Sequence, residues 1–195
     1  CARLDRAASV VMLIARDRTA GSRLKQAFAR RQVDKTYLAL VHGVPSAPAG
    51  VIDQPMKLLD SPSRIMMGVA SDGLPAVTRW RTVETFARHA LLACAPETGR
   101  QHQIRVHLAA IGHPIVGDKL YRASERQFMA FCDGGLTPEL LEAFDGLPRQ
   151  ALHAHRIVFP HPRTGAPVTV ESPLPADLRS YVAGLAPGYN EARSV

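Results

Sequence analysis

Arg100, Gln101, His102, Gln103 and Arg105 stand within six positions of one another, in the stretch Glu97 to Leu108. Ile104, Leu108 and Ile111 recur at i, i+4 and i+7, the apolar stripe of a short amphipathic helix over 101–111. Thr98 before Gly99 is a fair N-cap, Gly112 suits a C′ position, and Pro114 stops any continuation. The polar residues therefore crowd the first turns, where unpaired backbone N–H groups and the helix dipole favour an anion. Arg105 directly follows Ile104 and so lies beside the buried stripe, where an arginine wants a carboxylate partner. Asp5, between Arg3 and Arg6 on a loop leading into an apolar run, is the candidate partner; the plainer reading is a surface carboxylate paired with its neighbours.

The elements that must position these residues follow from patterning. Val10 to Ala15 is a continuous apolar run, read as a buried strand. Residues 19–32 form a helix with Leu24, Ala27 and Phe28 inward and Arg23, Lys25, Arg30 and Arg31 outward, a solvated face able to touch phosphates. Lys35 to Val41 is a strand with Tyr37 near its start, a position more often core than catalytic. A loop spans Gly43 to Gly50; strands over 64–70 and 76–86 flank an Asp72-Gly73 turn, and Leu91 to Ala95 feeds the helix. Residues 122–136 show no clear pattern, Thr137 and Pro138 start a short helix, 152–159 and 167–171 form a hairpin, and 177–185 a closing helix. The tail over 187–195 is expected to be loose. The sum is one α+β domain over 1–195, a mainly antiparallel mixed β-sheet with a few flanking helices.

Composition narrows the function classes. The net charge is +7 and the pI about 9.8, which point to an anionic partner, nucleic acid ahead of membrane. No apolar run reaches membrane-span length. Three cysteines without a CxxC pair suit a reducing, cytoplasmic setting. Among eight histidines, His102, His107, His153 and His155 invite a metal reading, but there is no HExxH and no cysteine pair, so no metal is expected. The glycines of a Rossmann or P-loop site are absent. The chain begins at Cys1 within what reads as folded sequence and is taken as a fragment of a longer protein.

Ala2 to Val10, Lys35 to Ala39, Thr98 to Tyr121, and Leu152 to Ala154 with Phe159 to Pro162 are four stretches in register that together resemble the RluA-type family of RNA pseudouridine synthases. Ala2-Arg3-Leu4-Asp5-Arg6-Ala7-Ala8-Ser9-Val10 is similar to that family's His-Arg-Leu-Asp-Arg-x-Thr-Ser-Gly. Lys35-Thr36-Tyr37-Leu38-Ala39 matches its Lys-x-Tyr-Leu-Ala strand, and Thr98 through Tyr121 its longest signature. Leu152-His153-Ala154 with Phe159-Pro160-His161-Pro162 matches a fourth. The resemblance implies a pseudouridine synthase-like fold lacking its first strands, with no S4-type RNA-binding domain in this stretch. It implies that a uridine of ribosomal or transfer RNA is detached at N1, turned and rejoined through C5, by a monomer with no cofactor.

On the same resemblance, Asp5, Tyr37 and Arg105 are the catalytic residues. Asp5 either attacks C1′ or takes a proton from the sugar. Arg105 keeps Asp5 ionised and aimed, and Tyr37 stacks on the uracil and is a candidate acceptor of the C5 proton. Arg3, Arg6, Arg100, His102 and Gln103 are expected to bind RNA, and Leu152 to line the base pocket, opposite a cleft wall that carries Tyr37. Ala2, Ala8 and Val10 stand where the pattern has His, Thr and Gly. If that glycine has a positive φ, valine costs on the order of 1–2 kcal/mol. These departures leave a second class open: an RNA-binding relative that has lost turnover.

Overall fold

The apolar run at Leu91–Ala95 becomes an inner strand of a six-stranded antiparallel sheet in the computed structural model, which describes residues 8–188. In chain order the elements are α1 (Arg18–Ala29), β1 (Asp34–His42), β2 (Ala49–Asp53), β3 (Met56–Leu58), β4 (Met67–Val69), β5 (Val77–Thr85), β6 (His89–Pro96), α2 (Gln103–Ala110), α3 (Glu125–Gly134), α4 (Pro138–Ala143), β7 (Leu152–Pro160), β8 (Pro167–Glu171) and α5 (Ala176–Ala183). The sheet runs β2-β5-β6-β1-β7-β8, and every strand pair in it is antiparallel. β6 and β1 are buried in their middles, where Leu92, Val41 and Cys94, with Leu152 of β7, join Ile104 and Leu108 of α2 in one core. The α+β expectation holds.

Three local expectations do not. Val10–Ala15 is not a buried strand: it is irregular, and Met12 and Ile14 are 56% and 78% exposed. Its pairing with β7 runs from Ser9 N–H to Leu152 O and ends at Val11 N–H to Ala154 O. From Arg156 onward β8 already occupies that edge of β7, so the apolar run has no ladder to join. The Asp72-Gly73 turn exists, but it does not close a hairpin. β4 pairs instead with β3 in a separate two-stranded sheet, while β5 pairs with β2 and β6. Strands of three residues carry no usable period-2 signal, so β3 left no trace in the sequence. Finally, 122–136 contains α3, opened by a capping box: Ser124 Oγ accepts from Gln127 N–H and Gln127 Oε1 accepts from Ser124 N–H. None of its residues is fully buried, though the helix is amphipathic, with Phe128 and Phe131 half-buried at i and i+3.

Other boundaries agree closely. Asp17 caps α1 by accepting from Ala20 N–H at 2.7 Å, and Ala27 packs with Ile157 and Phe159. Thr137 and Pro138 open α4 as read. Pro187 is not loose: it bridges to Phe86, and Ala186 O accepts from Ala87 N–H. Residues 189–195 lie outside the described residues.

Candidate active site

α2 starts later than the sequence suggests and is held differently. Its N-cap is His102, in the left-handed region at φ 55°, with no side-chain cap bond. Thr98, expected as the cap, accepts from Val77 N–H of β5 and donates its hydroxyl to Gln103 Oε1 at 2.7 Å. Gln103 Oε1 also accepts from Arg100 N–H, and its Nε2 donates to Val77 O and to Thr78 Oγ1. Gln103 is buried with its amide engaged within the fold, so it positions α2 and does not present itself to a ligand, a correction to its expected binding role.

The chain of bonds continues through the helix. His107 Nε2 is 3.0 Å from Gln54 O, a carbonyl that only accepts, so the ring proton sits on Nε2 and Nδ1 accepts from the Thr78 hydroxyl at 2.9 Å. Burial lowers the His107 pKa below the ordinary histidine value, with partial opposition from the Gln54 carbonyl and Asp53. A lowered folded-state pKa means the unfolded chain takes the proton first, so stability present above about pH 6.5 is lost as the pH falls. The thermal midpoint is therefore expected to drop between pH 7 and pH 5, and His107→Gln should flatten that fall in calorimetry. An unchanged slope in the variant would assign it to other groups, such as His89, whose pKa burial also lowers.

All six residues from Gln103 to Leu108 are buried. The sequence stripe accounts for Ile104 and Leu108; Val106 is covered by Met56 and Ala76, with Met67 and Tyr121 beside them. Arg105, 5% exposed, is clamped by Asp118, which is fully buried. Arg105 Nε donates to Asp118 Oδ2 and Nη2 to Asp118 Oδ1, each at 2.7 Å, the parallel fork that suits a planar guanidinium. Asp118 Oδ1 also accepts from Leu120 N–H and Tyr121 N–H, so the loop after α2 folds around this carboxylate. The guanidinium lies 4.8 Å from the Tyr121 ring centroid. The Tyr121 hydroxyl accepts from Met67 N–H and lies 2.8 Å from His102 Nδ1.

Asp118 and Tyr121 close the Thr98–Tyr121 stretch but are not among the site residues expected from the sequence. The signal for Asp118 was present: a buried arginine needs an anion, and this carboxylate stands 13 positions along. Asp5, Arg3 and Arg6 lie outside the described residues. Arg105 and His102 make contacts beyond those just given, as do Gln101 and Tyr121.

The sheet register locates the remaining candidates. Thr78, which meets α2, is on the same face as Trp80 two positions on. Trp80 is opposite Cys94, Cys94 opposite Tyr37, Tyr37 opposite Ala154, and Leu152 two residues before Ala154 is opposite Ala39. Opposed residues share a face, so Tyr37 and Leu152 stand side by side on the face that α2 covers. Leu152 is therefore on the wall that carries Tyr37, not opposite it as expected, and it is largely core. Burial pushes the Tyr37 pKa up.

Ser9, four residues after Asp5 in the chain, is pinned beside Leu152. Its backbone bonds to Leu152 O and Ala154 N–H, and its hydroxyl lies 2.9 Å from His153 Nδ1 and accepts from Arg149 Nη1. Ala8 packs on the main core, and Val10 is not among the residues with positive φ, so the strain cost considered for it does not arise. Arg100, half-buried, donates to Pro75 O and lines an open groove of about 520 Å³ with Gly99, Gln101, Lys57 and Leu74. Among the described residues no three His, Cys, Asp or Glu side chains gather to hold a metal, and no helix is long and apolar enough to cross a membrane.

Comparison with known proteins agrees with this geometry. Residues 1–110 match the RNA pseudouridylate synthase family. The chain is 39% identical over 183 residues to ribosomal large subunit pseudouridine synthase D of Xanthomonas campestris, covering 94% of this chain and 53% of that protein. It is 39% identical over 176 residues to the protein of the same name from Vibrio cholerae, covering 90% and 52%. The chain thus spans about half the length of the curated relatives it matches. Human RNA pseudouridylate synthase domain containing 1 superposes with a TM-score of 0.73 at 27% identity, over 95% of this chain and 72% of that one. The match covers more than half of the sequence, the sheet and helices are shared with a solved relative, and the chain belongs to the RNA pseudouridylate synthase family.

Proposed function

We propose that the protein is an isomerase converting uridine to pseudouridine in RNA, with ribosomal RNA as the favoured substrate. Family membership sets the reaction class. The observation that carries the reading to this chain is the shared sheet face: Tyr37 and Leu152 stand on the face against which the helix bearing Arg105 packs, and Ser9 is tied beside Leu152. In this reading Asp118 holds the Nε–Nη2 edge of Arg105, and Asp5 is the catalytic carboxylate that the family pattern implies. A guanidinium beside a carboxylate favours its ionised form, which a nucleophile or base needs.

Tyr37 is raised above its ordinary pKa by burial, so its phenol is neutral at physiological pH. That favours stacking on the flipped uracil over proton acceptance from C5. The relatives named for the large ribosomal subunit support ribosomal over transfer RNA. Val10 lacks the positive φ that would have argued for a damaged catalytic loop, which favours turnover over an RNA-binding relative without activity.

The test is carbodiimide mapping of pseudouridine in total RNA from cells with and without the full-length gene. A site in large-subunit RNA that disappears with the gene is the expected result. An unchanged map overturns the reading.

A further inference from the structure

The positive charge of this protein is not spread evenly. Residues 16–35 carry seven Lys and Arg against two Asp, a net +5 out of the chain's +7. This segment includes α1, which lies over β7 at the β8 end of the sheet, while α2 sits over β5 and β6. Arg23 and Arg30, seven residues apart, lie on one side of α1, and with His161 and Arg163 of the β7–β8 turn they line a groove of about 330 Å³. Arg23 Nη1 donates to Pro162 O at 2.6 Å, which fixes its guanidinium at the groove.

What sets Arg23, Arg30 and Arg163 apart, among the described residues, is that they gather at one groove without a neutralising carboxylate. Arg79, Arg122, Arg149 and Arg156 each have a carboxylate within 4 Å. Among the described residues no carboxylate lies that close to Arg23, Arg30 or Arg163. Three guanidinium groups around one concavity repel each other unless an external anion sits among them.

We propose that the groove between α1 and the β7–β8 turn is a second RNA contact, holding backbone phosphates that flank the target nucleotide. It rests on the RNA substrate of the proposed function but not on turnover. Phosphate contacts of this kind fix register without reading bases. The groove would thus act in binding and leave the chemical step alone.

The test uses the full-length protein and a large-subunit RNA fragment, with affinity followed against salt. Arg23→Gln/Arg30→Gln/Arg163→Gln should lower the slope of log affinity against log salt by about two to three, and affinity at moderate salt by roughly tenfold or more. At saturating RNA, kcat should stay within about twofold while KM rises. Because Arg23 also joins α1 to the turn, Arg30→Gln/Arg163→Gln serves as the variant that keeps this link, with a slope change of about one to two. Arg79→Gln, which removes a charge already paired with Glu97, should leave the slope unchanged. A wild-type slope in both groove variants overturns the proposal, and so does an equal fall in Arg79→Gln. A wild-type protein that binds with the expected slope yet forms no pseudouridine overturns the isomerase reading and leaves this one standing.

Discussion

Asp118→Ala should cost the fold on the order of 3–5 kcal/mol, the scale of leaving one partner of a buried ion pair uncompensated. Arg105 would lose both bonds of its fork in a site where it is 5% exposed, and Leu120 and Tyr121 N–H would lose their acceptor. Such a loss is a large part of the stability of a typical domain, so the variant should be largely unfolded near 37 °C. Urea denaturation followed by circular dichroism reads the effect as a fall in midpoint at unchanged slope. Asp118→Asn, which keeps the shape and the acceptor oxygen, should fall between. A loss under about 1 kcal/mol for the alanine variant would mean that Arg105 is held by other groups, and would remove Asp118 from the architecture of the site.

Asp5→Asn should behave in the opposite way. If Asp5 is the catalytic carboxylate, the amide keeps its shape but can neither attack C1′ nor accept a proton. Turnover should then fall by roughly 10³-fold or more, the scale seen when a catalytic group is removed. RNA affinity and the thermal midpoint should stay near wild type. Single-turnover assays on the mapped RNA, with binding measured in parallel, separate the two quantities. Comparable turnover in the variant would take Asp5 out of the mechanism, whatever its motif resembles.

The two residues also show what the sequence makes legible. A buried arginine at 105 could be inferred because it follows Ile104 on an apolar stripe, and the demand for an anion follows from burial. Which anion is a question of chain path, and periodicity does not describe the turn that brings Asp118 back over α2. The strands that pair with long neighbours, β1, β5, β6 and β7, were readable from apolar runs and turn residues. β3 was not, since three residues cannot establish a period, and Val10–Ala15 misled because β-propensity cannot show that β8 has taken the edge. Gln103 misled in another way. A polar residue in a polar motif reads as a ligand, and only the position of Thr78 on the neighbouring strand shows that its amide is engaged within the fold.

α2 has eight residues and no side-chain cap, too short to hold as an isolated helix in water. Its persistence derives from the sheet on one side and from β3, β4 and the Asp118 loop on the other. A segment of that kind has no way to open by itself, because fraying its first turn breaks the bonds from Gln103 to β5, and shifting it breaks the fork to Asp118. Arg105 therefore belongs to the same cooperative unit as the core, and the amides of α2 should exchange by global unfolding rather than by local opening. The placement of one guanidinium thus depends on the whole sheet, so substitutions in the middle of β5 or β6 should loosen Arg105 as well as the core.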